Sequence, residues 1–284
     1  MEYKKNFSIS ENQIIQYKKH LQNEERAKAT INKYIRDIRA FFQFSNQEVT
    51  KELAIAWKNK LTETYKASSV NSMIAAINGF FEFLNLNIKI KPLKIQRKIF
   101  LAAGKELTRR DYEKLLNTAE MQNNERLLMI MQTLAATGIR INELKFITID
   151  AVIQGQAEVK NKGKTRTIFI SSDLKKALLK YIKSKNISEG AIFVTKSGKT
   201  MDRANVWAEM KKLCKIAGVN PNKVYPHNFR HLFAVTFYKK NQDIIKLADI
   251  LGHSDVNTTR IYVMQTDREY RRIIDKLELV KPIT

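Results

Sequence analysis

Four short stretches of the sequence carry side chains that could act together on an anion. Thr137-Gly138-Ile139-Arg140 ends an apolar helical run with an arginine delivered at a sharp turn. Pro226-His227-Asn228-Phe229-Arg230 reads as the opening of a helix, with Pro226 suited to the first turn. The i, i+3 spacing there puts His227 and Arg230 on one face. Leu251-Gly252-His253 places a histidine after a helix-ending glycine, and Tyr262 stands nine residues later. Taken singly, each is an ordinary structural or surface residue. Taken together they form a cationic set with a tyrosine, suited to stabilising negative charge as it develops on a reacting group.

Two competing readings of the same segments fail. Gly163-Lys164-Thr165 looks like the end of a nucleotide-binding loop, but the first glycine of that motif falls on Glu158, and a strand follows where a helix should. His227 and His231 have the i, i+4 spacing of a zinc-protease helix. The glutamate position between them is Asn228, and no third ligand is apparent. The acidic residues show no obvious cluster for a two-metal nuclease. The sequence therefore leads us to expect neither a cofactor nor a metal.

The elements that must position these residues follow from composition and periodicity. The chain has 284 residues and a formal net charge of +23 spread along its whole length. A length in this range favours two domains, and a charge of this sign and size calls for a polyanionic partner, nucleic acid above all. Nine Gly and four Pro disfavour a turn-dense β fold, and a single Cys excludes a disulfide framework or a thiolate-rich zinc site. The N-terminus lacks an apolar targeting region, and no apolar run is long enough to span a bilayer, so a cytoplasmic protein is expected.

The first hundred residues read as four helices. Two of them repeat: TINKYIRDIRAFFQF and SVNSMIAAINGFFEF align without a gap, 39 residues apart, and their phenylalanines read as core. Lys28, Lys33, Arg36 and Arg39 fall on the polar side of the first copy, as a solvated face or a phosphate contact. Between Glu82 and Glu106 there is no acidic residue, and with Pro92 in the middle the segment reads as an extended basic linker crossing a bound duplex. Beyond it, Thr108 is a plausible helix cap, and Leu127 to Ala136, apolar on nearly every side, marks a central helix. Ala157–Lys160 and Arg166–Ile170 read as two strands joined by a tight turn. Helices are expected near Asp173–Lys183 and Asp202–Ala217, with Cys214 as packing.

The motifs TGIRINEL, PHNFRH, LGHSDVNTTRIY and NKGKTR, in that family's order, resemble the tyrosine recombinase (phage integrase) family. The resemblance covers the whole chain. It implies a mainly α fold: a helical, SAM-like core-binding domain over 1–86, a basic linker over 87–106, and a mixed α+β, mostly helical catalytic domain over 107–284. It also implies Tyr262 as nucleophile, Arg140 and Arg230 as phosphate clamps, Lys162 as general acid, His227 as acid/base and His253 as a transition-state hydrogen-bond donor. The family's turn often reads GKGxKxR, and this one is a residue shorter, so Lys164 is the alternative to Lys162.

That chemistry is self-consistent. Two permanently charged, forked guanidiniums stabilise the non-bridging oxygens of a phosphodiester under attack by a phenolate. A lysine protonates the leaving 5′ oxygen. The covalent 3′-phosphotyrosine keeps the bond energy, so rejoining needs neither ATP nor metal. The expected protein is a site-specific DNA recombinase of a bacterial cytoplasm, acting on double-stranded DNA as a homo-tetramer on two sites, in integration and excision or in cointegrate resolution. A type IB topoisomerase and a binding-only relative are the alternatives. The core-binding pattern begins by residue 11, so a further arm-binding domain is not expected. After Tyr262, an apolar stripe of Tyr270, Ile273, Ile274, Leu277 and Leu279 reads as a helix packed on its own domain, while the family resemblance implies a C-terminal helix exchanged between protomers.

Overall fold

The computed structural model describes residues 7–95, 106–161, 164–195, 198–199, 201–262, 275 and 277. The chain divides into two compact units, Met1–Arg97 and Lys98–Thr284. Among the described residues no helix is long and apolar enough to cross a membrane.

In the first unit, β1 (Phe7–Ser8) leads into α1 (Glu11–Asn23) and α2 (Lys28–Phe44), followed by β2 (Glu48–Val49), α3 (Lys51–Thr64) and α4 (Ala67–Phe83). Helix α1 starts where it does because the Ser10 and Gln13 side chains cap each other's backbone N–H groups. The β1–β2 pair, only two residues each, was not legible in the sequence because no alternation can show over so short a span. The two similar helices, α2 and α4, pack against each other. Phe41, Phe80 and Phe81 are fully buried, and Phe41 meets Trp57 and Phe81 edge to face. Arg36 stays largely exposed, whereas Lys33 is half-buried. Both bind the buried carboxylate of Asp37, at 2.6 and 3.0 Å, and Lys33 also donates to the Ser72 carbonyl on α4. Behind α4, the side chains of Asn71 and Asn78 each donate to and accept from one backbone residue, Leu93 and Ile90 respectively. The first unit thus takes in part of the segment that reads as linker.

In the second unit, α5 (Arg109–Met121) opens on a reciprocal Thr108–Asp111 cap. Helix α6 (Glu125–Thr137) is apolar nearly all round and sits centrally, packed by α5 and later helices, with Leu127, Ile130, Met131 and Leu134 buried. A 3₁₀ turn (Ile141–Phe146) and α7 (Ile149–Gln154) lead to the antiparallel hairpin β3 (Gln156–Asn161) and β4 (Lys164–Phe169). Its register pairs Val159 with Arg166 and Asn161 with Lys164. Then come α8 (Ser172–Ser184), α9 (Arg203–Ala217), α10 (Pro226–Asn241), α11 (Ile244–Leu251), α12 (Val256–Thr259) and a 3₁₀ turn, Arg260–Tyr262. Cys214 is buried with Val206, Met210 and Leu213. The helix expected beyond Tyr262 lies outside the described residues, apart from Asp275 and Leu277.

Candidate active site

Two glycines deliver the site. Gly138 ends α6 in the left-handed region (φ +63°), where a Cβ would stand 2.6 Å from the Phe233 ring. The chain can therefore turn sharply there and bring out Arg140. Gly252 ends α11 in the same way (φ +65°) and brings out His253. Pro226 occupies the first turn of α10, which buries Arg230 and leaves His227 exposed beside it.

Arg230 is the centre of the arrangement. It is 1% exposed. Its Nη1 donates to the Gly138 carbonyl at 2.6 Å, and Nη2 donates to the Leu251 carbonyl at 2.7 Å and meets His253 Nε2 at 2.9 Å. Burial, with Arg140 and Arg166 nearby, brings this guanidinium down to about 10, against a hydrogen bond to the Tyr262 side chain. Its partners are carbonyls, a histidine and a tyrosine, so a buried positive charge is left for an anion to neutralise. Arg140 is more open, at 40% exposed, and binds Glu143 Oε1 at 3.0 Å through Nη1. The same carboxylate binds Arg166 Nη2 at 2.5 Å. Burial raises the Glu143 carboxyl, but its bonds to Arg140 and Arg166 outweigh that and hold it below the usual range.

Tyr262 is 3% exposed. Three histidine rings surround it: His253 stacks on it at 6.0 Å between centroids, His231 meets it edge-on at 5.2 Å, and His227 lies at 6.3 Å. All three are pushed below the ordinary imidazole value, first by desolvation. The neighbouring arginines add to this at His227 and His253, and His253 falls to about 4. At neutral pH the rings are therefore uncharged.

The structure brings together Arg140, His227, Arg230, His253 and Tyr262. Lys162 lies outside the described residues, and the Lys164 backbone closes the hairpin opposite Asn161. Three residues around the site were not singled out from sequence. His231 was weighed only as a metal ligand, although its i, i+4 spacing from His227 was the available signal. Glu143 and Arg166 are recognisable only once the hairpin is folded against the turn after α6. A cleft of about 830 Å³ beside the site is lined by Arg140, Arg166, Phe169, Asp249 and His253.

Comparison with known proteins places this geometry. Residues 105–269 match the phage integrase family, and residues 14–86 match the phage integrase N-terminal SAM-like domain. The chain is 29% identical over 272 residues to the tyrosine recombinase XerA of Pyrococcus horikoshii, covering 93% of each. It is 27% identical over 285 residues to XerD of Halalkalibacterium halodurans, covering 89% of this chain and 93% of XerD. A solved structure of the XerH site-specific recombinase, bound to palindromic difH substrate in a post-cleavage complex, aligns with a TM-score of 0.74 at 18% identity, over 95% of this chain and 85% of that one. With both family models matched in order and the cationic site assembled around a tyrosine, the chain belongs to the phage integrase family and is a tyrosine recombinase.

Proposed function

We propose that this protein cleaves and rejoins duplex DNA at specific sites through a covalent 3′-phosphotyrosine, with Tyr262 as the nucleophile. The Tyr262 oxygen bonds to phosphorus as the bond to the 5′ oxygen breaks. Arg140 and Arg230 neutralise the non-bridging oxygens, and His253 donates a hydrogen bond to them as charge builds. His227 takes the phenolic proton, and Lys162, with Lys164 as the alternative, gives a proton to the leaving 5′ oxygen. Reversal with a different 5′ hydroxyl joins the exchanged strands.

The observation that carries this reading is the seat of Tyr262. The Tyr262 phenol lies against three histidine rings and shares a hydrogen bond with the buried Arg230 guanidinium, beside a positive charge that an anion would neutralise. The recombinase names of the relatives favour strand exchange over topoisomerase-like relaxation. Exchange between two duplexes calls for four such sites, so the working assembly is a homo-tetramer on two DNA sites. Integration and excision or cointegrate resolution are the roles this activity would serve.

The test is a denaturing gel after incubation with recognition-site DNA. Wild-type protein should give a covalent adduct. Tyr262→Phe should give none while keeping its DNA affinity, which is spread over many phosphate contacts. Adduct at wild-type level in Tyr262→Phe would falsify the nucleophile assignment.

A further inference from the structure

His231 lies closer to Tyr262 than either histidine that the mechanism above uses, and that mechanism gives it no role. Its ring centroid is 5.2 Å from that of Tyr262, against 6.0 Å for His253 and 6.3 Å for His227, and the two planes stand at 67°. This is the edge-to-face arrangement in which aromatic rings hold one another. The His231 side chain is 13% exposed, and its Nε2 faces Glu106 Oε1 at 3.9 Å. That oxygen is buried, and among the described residues nothing donates a hydrogen bond to it. Glu106 is itself held in place, because Leu107, next in the chain, is buried and Thr108 caps α5.

A buried carboxylate oxygen without a donor is costly, but one that faces an imidazole nitrogen can do something packing cannot. The last torsion of a histidine side chain is broad and two-fold, so apolar contact leaves the ring free to turn over. A carboxylate on one side selects the orientation that points Nε2 toward it. At 3.9 Å the attraction is Coulombic and weaker than a hydrogen bond, which is enough to choose between two ring orientations. Desolvation lowers the His231 pKa and the Glu106 charge opposes it, so the two groups interact. We propose that Glu106 and His231 are positioning residues for the nucleophile: the carboxylate selects the orientation of the His231 ring, and that ring holds the Tyr262 phenol against Arg230 and His253. The inference rests on the reading of Tyr262 as the nucleophile.

The test is a double-mutant cycle, read as single-turnover adduct formation at saturating recognition-site DNA. His231→Ala removes the ring and should slow the step on the order of 10²-fold, as a misplaced nucleophile does. His231→Phe keeps an aromatic edge against the phenol and should return the rate to within a few-fold of wild type. Glu106→Ala should cost about 10-fold alone and nothing further in His231→Phe, where no nitrogen is left to orient. Glu106→Gln, whose amide oxygen can still accept from Nε2, should recover most of the rate. Half-site affinity should hold throughout. Nitrogen NMR of the four histidines gives a readout apart from activity: Glu106→Ala should move the His231 ring signals and leave those of His20, in the first unit, unchanged. Equal slowing by Glu106→Ala in both backgrounds, or unmoved His231 signals, would mean that Glu106 does not act through His231. A wild-type rate in His231→Ala, or a His231→Phe as slow as His231→Ala, would mean that the ring is not what holds Tyr262. Tyr262→Phe is run alongside, and adduct there would remove the nucleophile reading and this inference with it.

Discussion

Arg230 and His253 are joined by a contact of 2.9 Å between Nη2 and Nε2, and it fixes the histidine's tautomer. A guanidinium has only donors, so Nε2 must accept. The ring proton then sits on Nδ1, where Thr259 Oγ1 accepts it at 2.9 Å. In this state His253 cannot donate to a phosphate through Nε2. For it to act as a donor, an incoming anion must draw Arg230 away and raise the affinity of Nε2 for a proton.

Nitrogen NMR of the histidines tests that sequence of events. In the free protein at pH 7, Nε2 of His253 should be unprotonated, with the ring taking up its second proton only near pH 4. Adding vanadate or site DNA should move Nε2 to the protonated range. A free-protein His253 that titrates near the ordinary imidazole value would show that burial and Arg230 do not hold it neutral.

Stability should respond to acid through the same group. The unfolded chain binds the His253 proton near pH 6.5, while the folded one binds it near 4. Between those values unfolding takes up protons, so stability present above pH 6.5 is lost as pH falls toward 4. His227 and His231 shift in the same direction. The melting temperature should therefore decline from pH 7 to pH 4.5, and less steeply in His253→Gln. An unchanged slope in that variant would assign the acid sensitivity elsewhere.

The two arginines should separate catalysis from stability. Arg140→Ala and Arg230→Ala should each slow adduct formation by about 10²–10³ or more, as loss of a preorganised donor does. Thermal unfolding should then distinguish them. Arg140 is substantially exposed, and its loss should cost little. Removing Arg230 strands the buried Gly138 and Leu251 carbonyls, at roughly 1–3 kcal/mol each. Equal melting temperatures for the two variants would contradict this account of Arg230.

Assembly is tested by removing residues 268–284. If that segment docks on a neighbouring protomer, half-site binding should survive while cooperative filling of a full site weakens and recombination falls further. Gel-shift titration of a full site decides it. Unchanged cooperativity with normal recombination would assign the segment to its own domain.

How far the sequence could be read depended on whether a contact is local. Helices α2 and α4 were visible because one face of each repeats every three to four residues, and the caps at Thr108, Gly138 and Gly252 are signalled within a turn of chain. His227 with Arg230 likewise follows from spacing alone. Arg166 and Glu143 lie 23 residues apart, and Arg166 and Ile250 lie 84 apart, so no periodicity can link them. Asp37 escaped for a related reason: a charged residue on an apolar face looks like an exception until Lys33 and Arg36 close over it.

Gly138 gives its carbonyl to Arg230 and, two residues on, its chain direction to Arg140. Both cations are thus measured from one peptide unit, as two arms are from a shared pivot. Any movement of α6 against α10 would carry that reference along, so the error in the gap between the two charges would not accumulate across the packed helices. If the two arginines grip a single phosphate from two sides, as proposed above, that grip gains most from a tolerance set over so few bonds.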